Sequence, residues 1–263
     1  MANLPSESVF SGLAWRRFLG AVLVAGLLFS GLILAIYRQD VSNKRAMLAS
    51  EAQHVLDLQQ ELLTVELQKV QSDLLFLASQ DLLQDFLLDM DSKANQSALA
   101  GEYSKFALNK GVYDQIRVLD VQGMETIRVN YRAGNTEVVA PEQLQSKSSR
   151  YYFRQAMSLE QGEVFVSPFD LNVEHGEIEQ PIEPVIRFAT PVYGNGEEKQ
   201  GLLVLNYLGT QLLSQLRRLS SSFRGETMLV NPAGEYLQAP DVSHEWGWLL
   251  EHSHSFRKEF AAA

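Results

Sequence analysis

The chain has 263 residues, a formal charge of −10 at pH 7 and no cysteine. Hydrophobic residues make up 46% and charged residues 21%, the balance of a folded chain rather than a disordered one. Such acidity argues against a nucleic-acid partner, whose phosphates it would repel. The missing thiols exclude disulfides, thiolate zinc sites and cysteine nucleophiles.

Residues 18–37 read FLGAVLVAGLLFSGLILAIY without a single charge. A helix of that length spans about 30 Å, the hydrocarbon thickness of a bilayer. Trp15, Arg16 and Arg17 precede it and Tyr37 and Arg38 follow, residue types that favour the membrane–water interface. A signal peptide is the competing reading. The apolar run is longer than a usual signal core, and Ala35-Ile36-Tyr37 is a poor cleavage site. An uncleaved anchor is therefore expected, with the lipid bilayer as a partner. The arginines abutting the membrane place the N-terminus inside.

From 39 to 91 there is neither proline nor glycine. Leu63, Leu67, Val70, Leu74 and Leu77 recur at steps of four and three, and Val55, Leu58, Leu62 and Val65 form an offset stripe. This spacing predicts a long helix. Its second half is expected to pack on its own domain. The part nearest the membrane could pair with a second copy, and a homodimer through the transmembrane and long helices is expected. Asn95 to Ser97 and Gly101 end the run. A second helix is predicted at 97–109, closed by Lys110-Gly111.

After Gly111 the period changes to two. Strands are predicted at 113–120 and 125–131 as a hairpin, at 163–167, at 184–193 and at 200–207, the last two joined by a turn at Gly194-Asn195-Gly196. Residues 141–157 look helical, and 172–184 form a polar loop rich in glutamate. The result is an α+β arrangement: an N-terminal transmembrane helix, a long helix, then an antiparallel five-stranded PAS-like sheet domain with helices. A helix at 211–222 leads to a strand–turn–strand at 226–236 that repeats the first hairpin. About forty residues remain after Gly225, too few for a second such sheet, so the chain reads as a fragment without its output domain.

These segments together resemble tandem Cache sensors, also called double PDC or PAS-like sensors, of bacterial histidine kinases, diguanylate cyclases and chemoreceptors. The carrying stretches are YDQIR at 113–117, IRVN at 127–130, SRYYF at 149–153, VSPFDLN at 166–172, IRFATPVY at 186–193 and GLLVLNY at 201–207. The resemblance implies a cytoplasmic N-terminus at 1–17, a membrane helix at 18–37 and a supporting and signalling helix at 38–92. A membrane-distal ligand-binding subdomain would follow at 93–210, and a connecting helix with a partial second subdomain at 211–263. It also implies a site. Where amino-acid-binding relatives carry Arg-x-Trp-Tyr, this chain has Arg150, Tyr152 and Phe153; Phe169 and Asp170 match an aromatic and an aspartate. Asn206 stands where those relatives hold the ligand amine with an aspartate, so α-amino recognition loses its charge partner. Arg150 can still grip a carboxylate through two parallel hydrogen bonds, and Arg187 can add a second cation.

Motifs of catalysis are missing: no Gly-x-Ser-x-Gly, P-loop, His-Glu-x-x-His or dinucleotide fingerprint occurs. His252 and His254 are read as part of a solvated turn and His175 as a loop residue, so neither a metal nor another cofactor is expected. The function expected is ligand sensing outside the inner membrane of a bacterium. The output would be a kinase or cyclase lying elsewhere, and the ligand a small solute that carries a carboxylate. A membrane-anchored interaction module without a small ligand is the alternative.

Overall fold

The computed structural model describes residues 12–174, 177–194 and 198–260. The chain divides into two compact units, Met1–Leu56 and Asp57–Ala263. Helix α1 (Gly12–Ala78) begins in the first and ends in the second. Along residues 15–37 its apolar side chains are exposed, Leu23 at 66% and Leu28 at 71% among them. A large apolar surface of this kind needs a non-aqueous neighbour. Among the described residues this is the one helix long and apolar enough to cross a membrane, by length and composition.

Within the second unit, Val70, Leu74 and Leu77 of α1 are buried, with Leu63 and Leu67 packed beside them, as the first stripe predicts, and Leu62 of the offset stripe joins them. The helix does not run on to residue 91. Ser79 turns its hydroxyl onto the Phe76 carbonyl at 2.9 Å, and Gln80 is extended at ψ 140°. A hydroxyl that competes for a backbone carbonyl can end a helix without glycine or proline. The chain restarts as α2 (Asp81–Leu88), which buries Leu83, Phe86 and Leu87. Helix α3 (Lys93–Lys110) is capped by the Ser92 side chain at its start and by Gly111, at φ 64°, at its end.

Strands β1 (Tyr113–Asp120) and β2 (Glu125–Arg132) form the predicted hairpin, extended by a short β3 (Asn135–Val138). The helix expected at 141–157 is shorter, with only a 3-10 turn at Pro141–Gln143 and α4 (Tyr151–Met157). The stretch between them is held extended by the β1–β2 turn. Glu125 and Gln145 exchange backbone and side-chain hydrogen bonds at 3.0 Å, and the Lys147 N–H donates to the Gly123 carbonyl at 2.7 Å. Tertiary pairing thus overrides local helical tendency.

Next come β4 (Phe165–Val166), β5 (Asp170–Leu171), the small pair β6 (Val173–Glu174) and β7 (Glu177–Ile178), and the long β8 (Pro184–Tyr193) and β9 (Lys199–Leu208). The sheet is antiparallel, in the order β3-β2-β1-β9-β8-β4, with β5 also on β8. Its five-strand heart, β2-β1-β9-β8-β4, is the predicted one; β3 and β5 are added edges. The turn residues Asn195 and Gly196, like His175, lie outside the described residues. Helix α5 (Gly209–Ser220), the pair β10 (Leu229–Val230) and β11 (Tyr236–Gln238), and α6 (Phe256–Glu259) complete the chain. Leu237 and Trp246 from this last stretch join the main core.

Both faces of the sheet are covered, which is why its central strands are apolar almost throughout. Ile116, Val118, Phe188, Leu203 and Leu205 face the core shared with α1, α2 and α3. Leu119, Ala189, Leu202 and Val204 face the opposite way, against Tyr152, Phe153 and Ala156 of α4.

Candidate functional site

On the α4 side, the alternation that points Leu119, Ala189 and Val204 at the helix carries polar residues one step further along each strand. Gln115 pairs in register with Asn206, and Asn206 with Arg187. Arg117 follows Gln115 on the same face. All four are buried, and buried polar groups must find partners. Arg117 Nη1 donates to the Tyr152 hydroxyl at 3.1 Å and Nη2 to Asn206 Oδ1 at 2.5 Å. Asn206 Nδ2 donates to Gln115 Oε1 at 3.1 Å. Tyr152 also presents its ring to both guanidinium groups, with centroid distances of 5.6 Å to Arg117 and 5.5 Å to Arg187.

Arg187 is held more loosely. Its donors reach Asp170 Oδ2 at 3.5 Å, the Leu171 carbonyl at 3.4 Å and Asn172 Oδ1 at 3.5 Å, all at the long end for hydrogen bonds. These acceptors belong to the segment after β4, which is thereby drawn onto the sheet. Asn172 continues the network, donating to Asp114 at 3.2 Å and Glu179 at 2.7 Å. Burial lowers the Arg187 pKa from its ordinary value, and the neighbouring Arg117 charge lowers it further. Behind Arg117 stands Glu125, whose side chain is fully buried and faces Arg117, Arg128 and Lys147 at 3.7, 3.2 and 3.8 Å. Arg128 is thus an ion-pair residue of the sheet.

Of the residues singled out in the sequence, the fold brings Tyr152, Asp170, Arg187 and Asn206 together. Phe153 lies beside them in the apolar cluster under α4. Arg150 occupies the N-cap position of α4, half-buried, and among the described residues no ion pair or side-chain hydrogen bond holds its guanidinium. Phe169 points elsewhere: its ring packs edge-on against Trp246 at 5.4 Å and closes over Gly209. Three members had no assigned role in the sequence: Gln115, Arg117 and Asn172. The signal for the first two was present, since polar residues alternate there within a strand that is otherwise buried.

This architecture, a long helix backing an antiparallel sheet whose other face holds a buried polar cluster under a short helix, defines a sensory domain of the Cache kind. A model of the bacterial histidine kinase sensor domain matches residues 46–262, and the chain belongs to that family. It is similar to a domain of a sensory box/GGDEF family protein from Vibrio parahaemolyticus, at 29% identity over 82% of this chain and 81% of that one, with a TM-score of 0.73. The extracellular domain of a histidine kinase is 30% identical over 82% and 77% of the two chains, also at a TM-score of 0.73. The ligand-binding domain of the Campylobacter jejuni chemoreceptor Tlp3, solved with 4-methylisoleucine, shares the fold at 13% identity, over 72% and 68% of the chains, with a TM-score of 0.52. Among curated protein sequences none matches. The chain is therefore a sensor domain of the kind found in bacterial histidine kinases, a family of recognition modules that are not themselves catalytic.

Proposed function

We propose that this sensor domain binds a small carboxylate-bearing solute on the α4 face of the sheet, outside the bacterial inner membrane, and signals through α1. Arg187 carries the reading. It is a cation exposed to only 2%, loosely bonded at 3.4–3.5 Å and set beside a second guanidinium. An incoming carboxylate would exchange long bonds for short charge-assisted ones and relieve the repulsion between the two arginines. Arg150 would take the outer side of the anion. Tyr152 would form the floor, and Asp170, Asn172 and Asn206 would read the rest of the solute. Relatives of the fold support the ligand class: Tlp3 has been solved with amino acids such as isoleucine.

In this reading the segment after β4 closes over the ligand, and the domain shifts against α1 in a dimer that pairs through the membrane-proximal part of that helix. A ligand drives such a switch only through unequal affinity for the two states. Calorimetry with a panel of organic acids and amino acids tests the assignment. The carboxylate that binds wild type should lose roughly 30-fold or more in Arg187→Met, since a buried charge pair is worth about 2 kcal/mol or more, and a smaller factor in Arg150→Ala. Equal affinity in all three proteins would remove both arginines from the site.

A further inference from the structure

Away from this face, the C-terminal stretch gathers His244, His254 and Glu259 so that one ligand atom from each lies within 4.8 Å of the others. His244 ends a 3-10 turn at Val242–His244, His254 lies in the turn before α6, and Glu259 ends α6. Both imidazoles aim the same atom at one oxygen: Nδ1 of His244 is 3.4 Å and Nδ1 of His254 is 3.3 Å from Glu259 Oε1. The rings lie parallel, 3.8 Å between centroids and 8° apart. As hydrogen bonds these two contacts are poor, being long and directed at a single acceptor. Their lengths match edges of a coordination tetrahedron, but rings stacked nearly parallel cannot both direct an in-plane lone pair at one ion, so one imidazole has to turn when the ion binds. Metal bonds of about 2.0–2.1 Å put neighbouring ligand atoms roughly 3.3 Å apart.

The surroundings have the form of an outer shell. Tyr236 donates its hydroxyl to Glu259 Oε2 at 2.9 Å, which leaves Oε1 to the imidazoles. Asp241 Oδ2 lies 3.9 Å from His244 Nε2, at the far side of the ring, and Ser243 holds its other oxygen at 2.7 Å. His252 is not part of it, because its Nε2 faces the Glu245 carbonyl at 3.1 Å. The ring stacked on His254 is that of His244, which the fold brings beside it.

We propose that His244 Nδ1, His254 Nδ1 and Glu259 Oε1 form a binding site for a divalent transition-metal ion such as zinc, with water as fourth ligand. Two imidazoles and one carboxylate select this class over calcium or magnesium, which prefer all-oxygen shells. The ion would tie together three segments that share little regular secondary structure.

The test uses the full chain in nanodiscs, prepared without a polyhistidine tag, stripped with chelator and titrated with zinc chloride. One ion per chain is expected. Affinity should fall by about tenfold or more in His254→Ala and in Glu259→Gln, and stay unchanged in His54→Ala, an exposed histidine on α1. Cobalt(II) should give the visible absorption of a tetrahedral site in wild type and lose it in both ligand variants. Wild type that takes up no stoichiometric zinc, or ligand variants that bind it as tightly as wild type, would overturn the assignment. The wild-type titration decides even if a variant misfolds.

Discussion

Replacing Glu125 by glutamine removes a buried carboxylate that faces Arg117, Arg128 and Lys147 at 3.2–3.8 Å. The change preserves shape and can keep the hydrogen bond from the Gln145 N–H, now 3.0 Å long, so what it removes is charge. Glu125 is 2% exposed and Arg117 is equally buried, so water cannot replace the lost partner. Deleting one side of a buried ion pair costs about 3–5 kcal/mol, a large part of the ~5–15 kcal/mol that holds a domain together. For a unit of this size that is a fall of roughly 6–20 °C in Tm. Thermal and urea denaturation followed by near-ultraviolet circular dichroism would measure it. Adding Arg128→Met to Glu125→Gln removes one of the three cations facing that position and should recover part of the loss. A loss below about 1 kcal/mol would refute the reasoning, since it would mean that the cations are solvated or neutralised elsewhere. The same variant bears on recognition, because Glu125 helps to hold the Arg117 guanidinium that contacts Asn206 and Tyr152.

Leu74→Ala, at a fully buried position of α1, should cost about 2–5 kcal/mol in the same denaturation assay, whereas Leu27→Ala on the exposed apolar stretch should leave the second unit's melting unchanged. Gly201 sits at φ 153°, and a Cβ there would lie 1.9 Å from the Leu119 carbonyl oxygen; Gly201→Ala should break the β1–β9 pairing at Asp120 at a cost of roughly 2 kcal/mol or more, seen as faster amide exchange on those strands. Glu259 is held below the ordinary carboxylate range, first by the Tyr236 hydroxyl and then by His254, while burial and the bond to Glu259 push Tyr236 up to about 12. The Glu259 contribution is therefore present above its unfolded pKa of about 4.3 and lost as pH falls through the lower folded value. Tyr236→Phe should flatten the acid limb of a Tm-against-pH curve, and an unchanged acid limb would count against that bond.

Residues 18–37 announce a membrane-compatible helix by composition alone, because twenty uncharged apolar residues have no comfortable place in water. The helices and the five principal strands were also legible: a period near four turns to a period of two at Gly111, and that change is written along the chain. The helix break at Ser79 and the extended stretch before α4 were not. Both depend on partners elsewhere or on a single hydroxyl, and neither leaves a glycine or proline to mark it. The site lies between these cases. Tyr152, Asp170, Arg187 and Asn206 could be picked out by residue type and resemblance, while Arg117 and Asn172 gained their places only when β1 paired with β9 and the segment after β4 folded over. Likewise His244, His254 and Glu259 look like isolated surface residues until the turns bring them together. Periodicity reports which way a side chain points from its own backbone. Which side chains then meet is set by strand register and chain reversal, and those are decided by the packing of the whole domain.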